Sequence, residues 1–490
     1  MVVLALLTVA RSTVFVWWPQ SQFDADQAVT GLMAKHLAEL RALPVFWYGQ
    51  TYMLGVESWL AAPLFAVFGA SVTALKAPLL AMNVTIALLL FRLFTREVGL
   101  SDARSATATL LFVLAAPITA AHFVTANGGN VEPTLYVVLL WMLRRRPIWM
   151  GLVLGIGFLN REFTIYGAFA LLTVDLLRRT LLTRAAARRY GGVFGVAAIV
   201  WLAFIGLRQV SSAAGPGTSV ADIHSALAGN NLLQVAERLC MDPGAIAAGA
   251  GRIFTVHWPE LFGLESQPVT DFGIESSVRQ GWNGSAWLLV PLFGIPLVRI
   301  VQSHLFQRTQ HPVLSTEHSA PGLYLVLVAV FSIAGYLVGR CGLIDFYTMR
   351  YELLSVLGAV GLTGWYLAVE RSRAVLAAWG LCYAAVLAIS VVAHGRLIAE
   401  YATNAPIAPK QELIQALDAR GIKYGYTDYW TAYYVTFMSR ERIILSPEDI
   451  VKVRTYTHLI DAHRDETVRI ARRPCDGGEQ LTAAFWSCKL

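Results

Sequence analysis

The stretch AVLAAWGLCYAAVLAISVV, residues 374–392, carries no charged side chain and decides the class of fold. At about 1.5 Å per residue, a helix of this length crosses most of a hydrocarbon core that is about 30 Å thick. Three similar, nearly charge-free stretches occur at Ala74–Phe94, Gly191–Gly206 and Tyr324–Val338. The sequence therefore predicts an α-helical, polytopic membrane protein.

The composition agrees with lipid as the solvent. Of the 490 residues, 56% are hydrophobic and 14% are charged, whereas a soluble domain carries about 25% charged residues. The net charge of +7 does not indicate nucleic acid, because the arginines lie in short connections between apolar stretches, as the positive-inside rule describes. We therefore expect membrane lipids as partners and no nucleic acid.

Five groups of arginine mark the cytoplasmic connections. They lie within residues 92–104, 144–146, 178–189, 299–308 and 371–373. Threading helices between them predicts about eleven transmembrane helices, with the N-terminus inside and the C-terminus outside. The expected domains are a membrane module at 1–393, with a first outer loop at 19–57 and a large outer loop at 208–284, and a periplasmic C-terminal domain at 394–490.

The first apolar segment is irregular because it contains Arg11, whose charge costs on the order of 3 kcal/mol in a span. It is expected to be the first span. A cleaved signal peptide that ends near Thr8-Val9-Ala10 and a misplaced start of the chain are the alternatives.

The outer segments contain helices of their own. The first outer loop is expected to hold an amphipathic helix at Asp26–Leu40 and a short apolar helix at Glu57–Phe68, both lying along the membrane surface. The C-terminal domain is expected to be a small soluble α/β unit. Its predicted elements are a helix at Pro409–Arg420, a strand at Ile422–Tyr426, a helix at Tyr429–Met438 and a strand at Arg442–Leu445.

The five cysteines are placed differently relative to the membrane. Cys475 and Cys488 lie in the C-terminal domain, where an oxidising compartment allows a disulfide. Cys240 and Cys341 are also predicted outside and form a second candidate pair. Cys382 lies within a span and is expected to act as a small apolar residue.

The candidate catalytic residues are Asp24 and Asp26, directly after the first apolar segment. A carboxylate beside apolar helices can act as a general base. Asp26 is equally well placed as the N-cap of the following helix, so one or both aspartates could be purely structural. The Asp-x-Asp pair could also help to hold a divalent cation, although nothing in the sequence decides this and no cofactor is indicated with certainty.

Candidate substrate-binding residues follow in the first outer loop. Gln50 and Tyr52 offer hydrogen bonds within the aromatic segment Tyr48–Met53. Glu57 opens a helix, but acidic residues favour the first turn of a helix in any case. The turn Asn127–Asn130, between His122 and Glu132, has a flexible backbone and is most simply read as a plain turn.

Cationic residues at the outer ends of the apolar stretches could receive a phosphate. The guanidinium group binds two phosphate oxygens at once, and the candidates are Arg161, Arg340, Arg350 and Lys76. Alternatively, these side chains anchor the helices at the interface or pair with nearby acids such as Glu162 and Glu352.

These residues resemble the opening of bacterial membrane glycosyltransferases of the protein-mannosyltransferase and aminoarabinose-transferase type, which have the GT-C fold. The matching positions are Asp24, Asp26, Ala28, Gly31, Leu32, Met33, Ala34, Tyr48, Gly49, Gln50, Tyr52, Met53 and Glu57. Arg350-Tyr351 is similar to an Arg-Tyr pair at the start of a late span in that group, Arg161 falls in a matching turn, and Tyr424–Pro447 resembles a tail. Gln27, where many relatives have Glu, and Trp59, where Tyr is usual, depart from the pattern.

The resemblance implies a polyprenyl-phosphate sugar donor and a lipid, glycan or protein acceptor at the outer face of a bacterial inner (plasma) membrane. Asp26, or Asp24, would take the proton of the acceptor hydroxyl, and an inverting displacement would release the polyprenyl phosphate. The residues that it implies for substrate and phosphate binding are Tyr48, Gln50, Tyr52, Glu57, Lys76, Arg161, Arg350 and Tyr351. The alternatives are a transporter or flippase, or an inactive scaffold that binds polyprenyl phosphate.

Overall fold

The computed structural model describes residues 1–50, 52–218, 239–265, 269–271, 274–276, 284–307, 319–340 and 346–489. Helices make up most of the described chain up to Asn404. In order they are α1 (Val2–Trp17), α2 (Ala25–Ala38), α3 (Val56–Phe68), α4 (Val72–Leu93), α5 (Asp102–Val113), α6 (Pro117–His122), α7 (Glu132–Met142), α8 (Pro147–Asn160), α9 (Ile165–Leu177), α10 (Arg184–Gly206), α11 (Pro243–Arg252), α12 (Trp258–Leu261), α13 (Leu289–Gln307), α14 (Ala320–Arg340), α15 (Ser355–Val369) and α16 (Arg373–Asn404). A two-stranded antiparallel hairpin, β1 (Val269–Asp271) and β2 (Ile274–Ser276), precedes α13.

Five helical segments of the described chain are long and apolar enough to cross a membrane. They are Val72–Val98, Arg184–Gly206, Ala286–Ser303, Ala320–Gly339 and Arg373–Ala419. Shorter apolar helices, among them α1, α7, α8 and α15, accompany them. The prediction of a helical polytopic membrane protein is confirmed, whereas the count of about eleven spans stays a prediction.

Arg11 is accommodated inside the helical module rather than in lipid. Its Nη1 donates to the Phe112 carbonyl oxygen at 2.5 Å, and its Nη2 donates to Asn83 Oδ1 at 2.6 Å. The guanidinium also lies over the rings of Phe112 and Phe123. These partners offset part of the cost of burying a charge.

The first outer loop differs from the expectation in its N-cap and in the burial of its helix. The helix begins at Ala25, and Asp24, not Asp26, is its N-cap, with its carboxylate accepting from the Gln27 amide at 2.9 Å. Residues 27–34 are buried on every face of α2. The amphipathic helix is therefore enclosed by other parts of the protein and does not present a polar face to solvent.

The C-terminal domain follows α16, which continues without a break past residue 393 to Asn404; the predicted domain bounds stay a prediction. Its elements are α17 (Pro409–Ala419), β3 (Tyr424–Thr427), α18 (Tyr429–Met438), β4 (Ile444–Pro447), α19 (Arg454–Ala462), β5 (Thr467–Ala471), β6 (Glu479–Thr482) and β7 (Phe485–Cys488). The sheet order is β4-β3-β5-β7-β6, with β3 parallel to both of its neighbours and β7 antiparallel to β5 and β6. This is the small α/β unit that the sequence predicts, with three strands and one helix added.

Helix α18 attaches this domain to the first outer loop. The Phe437 ring lies against Phe23 with centroids 5.5 Å apart, and a Cβ at Gly31 would be 2.4 Å from that ring. The Glu441 carboxylate, just after α18, accepts from Lys35 and Arg41. Apolar packing and ion pairing therefore fix the domain directly over α2.

Cys475 and Cys488 form a disulfide with Cα atoms 6.1 Å apart, so the first predicted pair is confirmed. The second candidate pair lies outside the described residues, because Cys341 is not among them. Cys382 is half-buried within α16, and its Sγ contacts the Leu288 carbonyl oxygen at 3.4 Å.

Candidate functional site

The Asp26 carboxylate lies at the meeting point of three parts of the chain. Tyr429, the first residue of α18, donates its hydroxyl to Asp26 Oδ1 at 2.6 Å. Arg350, in the 3-10 turn Phe346–Glu352, places Nη1 at 4.0 Å from Asp26 Oδ2. The Asp26 side chain remains 22% exposed. One carboxylate thus touches a guanidinium and a phenol while staying accessible.

Asp24 faces the backbone of its own helix. Its capping bond to the Gln27 amide satisfies one of the donors that a helix start leaves without a partner. Asp26 lies within the first turn of α2, and its carboxylate contacts Tyr429 and Arg350 instead. The structure therefore separates the two aspartates into a cap and a carboxylate that faces Arg350; their catalytic roles stay a prediction.

Two arginines share one aromatic ring beside Asp26. The guanidinium of Arg350 lies 5.3 Å from the Tyr351 ring centroid, and that of Arg161 lies 5.9 Å from the same centroid. The Nε atoms of both arginines are buried and make no hydrogen bond within the described part of the chain. Buried donors without a protein partner are suited to an anionic ligand.

Lys76 is a further cation near Asp24. It is fully buried, donates to the Phe15 carbonyl oxygen at 3.0 Å and lies 5.9 Å from the Phe23 ring centroid. Asp24 is the acid that acts on it electrostatically. Arg340 was the remaining cationic candidate, but its side chain falls outside what the structure describes.

Glu57 supports the wall of the site. Its buried carboxylate accepts from the amides of Gly128 and Gly129 at 2.8 and 3.1 Å, and it lies beside Glu132. Both glycines have positive φ, and a Cβ at Gly129 would be 2.9 Å from Arg161 Cβ. The Asn127–Asn130 turn is therefore the surface on which Arg161 lies, and Glu57 holds that turn in place.

The aromatic segment of the first outer loop is divided between two environments. Tyr48 is fully buried, with its hydroxyl 2.9 Å from His36 Nδ1, and so it belongs to the contact with the C-terminal domain. Gln50 has a buried side-chain oxygen with no hydrogen bond to any described residue, whereas Tyr52 is 50% exposed. Substrate binding by these three residues stays a prediction.

Sequence reasoning missed two residues that the C-terminal domain brings to Asp26. Burial and the neighbouring carboxylate raise the pKa of Tyr429 far above its usual value, so the phenol remains a donor at neutral pH. Lys452 lies 5.2 Å from the Trp47 ring centroid, and burial lowers its pKa while the Asp26 carboxylate opposes that shift. Tyr429 lies in the Tyr424–Pro447 stretch that resembles the tail of GT-C enzymes, so that resemblance was a signal for it. The sequence contained no comparable signal for Lys452.

Gln27, the position that departs from the resemblance, makes contacts with the backbone. The side-chain NH₂ group of Gln27 donates to the Gln22 carbonyl oxygen at 2.8 Å. Its side-chain oxygen accepts from the backbone amide of Ala126 at 3.3 Å. A glutamate would place an oxygen against the Gln22 carbonyl oxygen, so glutamine suits this environment. Among the described residues, no group of three or more His, Cys, Asp or Glu could hold a metal ion, and the divalent cation stays a prediction.

The fold and the site are those of a helical membrane protein in which a carboxylate and several cations meet beneath a small α/β domain. No family model and no curated protein matches the sequence. Among solved structures, the chain is similar to ArnT from Cupriavidus metallidurans bound to undecaprenyl phosphate, with 12% identity, a TM-score of 0.45, and 100% of this chain and 98% of that chain covered. It is also similar to ArnT from Cupriavidus metallidurans in the apo state, with 14% identity, a TM-score of 0.39, and 95% and 92% of the two chains covered.

Proposed function

We propose that this protein is a membrane glycosyltransferase that moves a sugar from a polyprenyl-phosphate donor to an acceptor hydroxyl. The observation that carries the proposal is the accessible Asp26 carboxylate beside Arg350, with Arg161 near the same Tyr351 ring as Arg350. A base next to two phosphate-binding groups suits a reaction that deprotonates one substrate and releases a phosphate from the other. The resemblance of the first outer loop to GT-C enzymes supports the same class.

In this reaction Asp26 removes the proton of the acceptor hydroxyl as the hydroxyl oxygen attacks the anomeric carbon. The bond between that carbon and the phosphate oxygen breaks, the electron pair leaves with the polyprenyl phosphate, and the anomeric configuration inverts. Arg350 and Arg161 bind the phosphate and stabilise the charge that develops on it. The phosphate is already a stable anion, so no general acid is required.

Tyr429 acts as a positioning residue in this proposal. Its hydrogen bond occupies Asp26 Oδ1, which leaves Oδ2, the oxygen nearer Arg350, for the acceptor proton. Because Tyr429 and Lys452 belong to the C-terminal domain, that domain completes the site and is suited to recognise the lipid, glycan or protein acceptor. The site is expected to face outward, as the arginine distribution predicts, and the resemblance implies the periplasmic side of a bacterial inner membrane.

The test is transfer of radiolabelled sugar from a panel of polyprenyl-phosphate sugars into membrane extracts. Asp26→Asn keeps the size of the side chain and removes the base, so we expect transfer to fall by at least about a hundredfold. The matched control is Asp418→Asn in the same assay, because Asp418 forms an exposed pair with Arg442 on the C-terminal domain. Equal activity of Asp26→Asn and wild type would refute the assignment of the base.

A second arm tests the phenol. Tyr429→Phe removes one hydrogen bond to a carboxylate, which is worth about 1.5 kcal/mol, and should lower kcat about tenfold with the KM for the donor unchanged. Tyr426→Phe, which removes an exposed hydroxyl bonded to Asp461 at 2.6 Å, is the control. Wild-type protein that binds polyprenyl phosphate but transfers sugar from no donor would indicate a scaffold, and solute flux into vesicles would indicate a transporter.

A further inference from the structure

The turn after α2 holds a leucine in a backbone conformation that leucine seldom adopts. Leu40 has a φ of +56°, and in this left-handed region a Cβ crowds the backbone, so glycine is preferred. The turn has the hydrogen bonds of a Schellman motif, since the Leu40 amide donates to the Leu37 carbonyl oxygen at 3.1 Å and the next amide donates to the His36 carbonyl oxygen at 2.9 Å. Glycine usually occupies the position of Leu40 in this motif. The leucine side chain therefore serves a purpose outside the turn itself.

The segment Leu40–Leu43, here the Leu40 turn, projects two leucines out of the protein. Leu40 is 89% exposed and Leu43 is 52% exposed. Packing inside the protein therefore does not offset the strain at Leu40. Two exposed leucines in one short turn fit an apolar surface that lies outside the protein.

The chain beyond this turn lies against the C-terminal end of α10. The Leu43 carbonyl oxygen accepts from the Ser212 amide at 3.0 Å, and the Leu43 amide donates to the Ser212 hydroxyl at 3.1 Å. Phe46 belongs to an apolar cluster against which Val200 and Phe204 of α10 pack. The segment that follows the Leu40 turn is therefore level with the last two turns of α10.

Helix α10 indicates what surrounds the turn at this level. It is long and apolar enough to cross a membrane, and three of its 23 residues are buried. Ile199 and Leu202 are among its exposed apolar side chains, and Val210, just after it, is 60% exposed. The guanidinium of Arg208 lies 5.7 Å from the Phe46 ring centroid, and a cation at the end of a span is typical of the level where headgroups meet hydrocarbon. The lipid that faces α10 therefore extends to the Leu40 turn.

We propose that Leu40 and Leu43 insert into the membrane leaflet next to the C-terminal domain. Burial of the two side chains in hydrocarbon offsets the strain of the left-handed turn. Arg41, between the two leucines, pairs with Glu441 of the C-terminal domain, so the inserted turn also holds that domain at the lipid surface. The proposal does not depend on sugar transfer, because neither leucine belongs to the Asp26 site.

The experiment is photo-crosslinking of the full-length protein in nanodiscs that contain phosphatidylcholine with a diazirine in one acyl chain. Peptide mass spectrometry should find lipid adducts on the Leu40 turn and on the exposed residues of α10. L40G/L43S should lower the adducts on the turn at least about tenfold and leave those on α10 unchanged. The matched control is I450S/V451S, which removes two exposed apolar side chains of the C-terminal domain and should leave adducts on the turn unchanged.

The single variant L40G separates membrane contact from packing within the protein. Glycine removes the side chain and the backbone strain together, so the melting temperature should stay the same or rise while the adducts at position 40 disappear. A lower melting temperature of L40G would overturn the proposal, because it would show that the side chain packs against the protein.

Three other results would also overturn it. They are adducts on α10 with none on the turn, equal adducts on the turn in L40G/L43S and wild type, and a dimer in light scattering that L40G/L43S abolishes. The last result would identify the exposed leucines as a contact between two copies of the chain. Adducts on the turn that are lost in L40G/L43S and kept in I450S/V451S would support insertion into lipid.

Discussion

Replacing Glu441 with glutamine is expected to loosen the contact between the C-terminal domain and the first outer loop. The Glu441 side chain is 9% exposed, and burial disfavours its ionised form. Hydrogen bonds from His36 and Arg41 outweigh burial and hold the pKa of Glu441 well below its usual value. Both oxygens of the Glu441 carboxylate accept hydrogen bonds. Glutamine must place an NH₂ group, which donates, at one of the two oxygen positions. At Oε2 this group would face Lys35 and Arg41, and at Oε1 it would face the Tyr456 hydroxyl.

The magnitude follows from burial and charge. Removing one partner of a fully buried ion pair costs about 3–5 kcal/mol. Arg41 is 39% exposed and Lys35 is 15% exposed, so solvent screens part of this interaction and reduces the expected loss to about 2–3 kcal/mol. Glutamine has nearly the same volume as glutamate, and the loss therefore reports the charge and its hydrogen bonds.

The assay is hydrogen–deuterium exchange of the α2 amides, which the C-terminal domain covers. A loss of about 2–3 kcal/mol in docking free energy should make these amides exchange about 30- to 150-fold faster. Glu479→Gln is the matched control, because Glu479 is 66% exposed and pairs with Arg420 on the same domain; its expected effect is below about 0.5 kcal/mol. Equal exchange of α2 in the two variants would refute the role given to Glu441.

Three further predictions concern the same domain. Gly31→Ala places a Cβ 2.4 Å from the Phe437 ring and should weaken docking by about 1–3 kcal/mol; unchanged α2 exchange would contradict this. Burial holds the pKa of His36 below its usual 6.5, so as the pH falls the unfolded chain binds the proton before the folded one does. The melting temperature should therefore be constant above about pH 6.5 and fall below that pH. The fall should be less steep in His36→Asn. The double substitution Cys475→Ser/Cys488→Ser removes a link between residues 13 apart. It should lower the free energy of unfolding of the domain in urea by about 2–3 kcal/mol. A reductant should cause the same loss in the wild type and no loss in the double variant.

The helical membrane module could be predicted from the sequence because lipid leaves few alternatives. A chain in hydrocarbon must satisfy its backbone within each segment, so charge-free stretches of sufficient length become helices. The number of spans is harder to predict, since α7 has 11 residues and α15 has 15, both shorter than the about 20 residues that cross a bilayer. Length alone does not decide whether such helices are complete spans.

In the C-terminal domain, the success of the predictions depended on local signals. The bounds of α18, Tyr429–Met438, are those that the sequence predicts, because Asp428 is a strong N-cap whose carboxylate accepts from the Thr431 amide at 3.1 Å. Strands β6 and β7 were missed, since Glu479–Thr482 and Phe485–Cys488 are four residues each and show no clear alternation of apolar and polar residues. Their pairing comes from the sheet rather than from local preference.

The candidate site illustrates the same division between local and long-range information. The sequence identified Asp26, Arg161 and Arg350 separately, but nothing in it states that Asp26 and Arg350 approach within 4.0 Å. The Tyr429 contact was equally inaccessible, because it depends on how a separate domain sits on α2. Long-range geometry of this kind requires the folded structure.

The Asp-x-Asp spacing explains how one short motif serves both the fold and the site. Because α2 begins at Ala25, the first aspartate is outside the helix and its carboxylate turns back to the Gln27 amide. The second lies within the first turn, where the helix geometry directs it away from the cap and toward Arg350 and Tyr429. The cap fixes where the helix starts, and the packing of the buried residues 27–34 fixes how α2 is rotated and therefore where Asp26 points. The structural and the chemical interpretations of this motif are therefore not competing explanations, since one aspartate caps the helix and the other faces Arg350 and Tyr429.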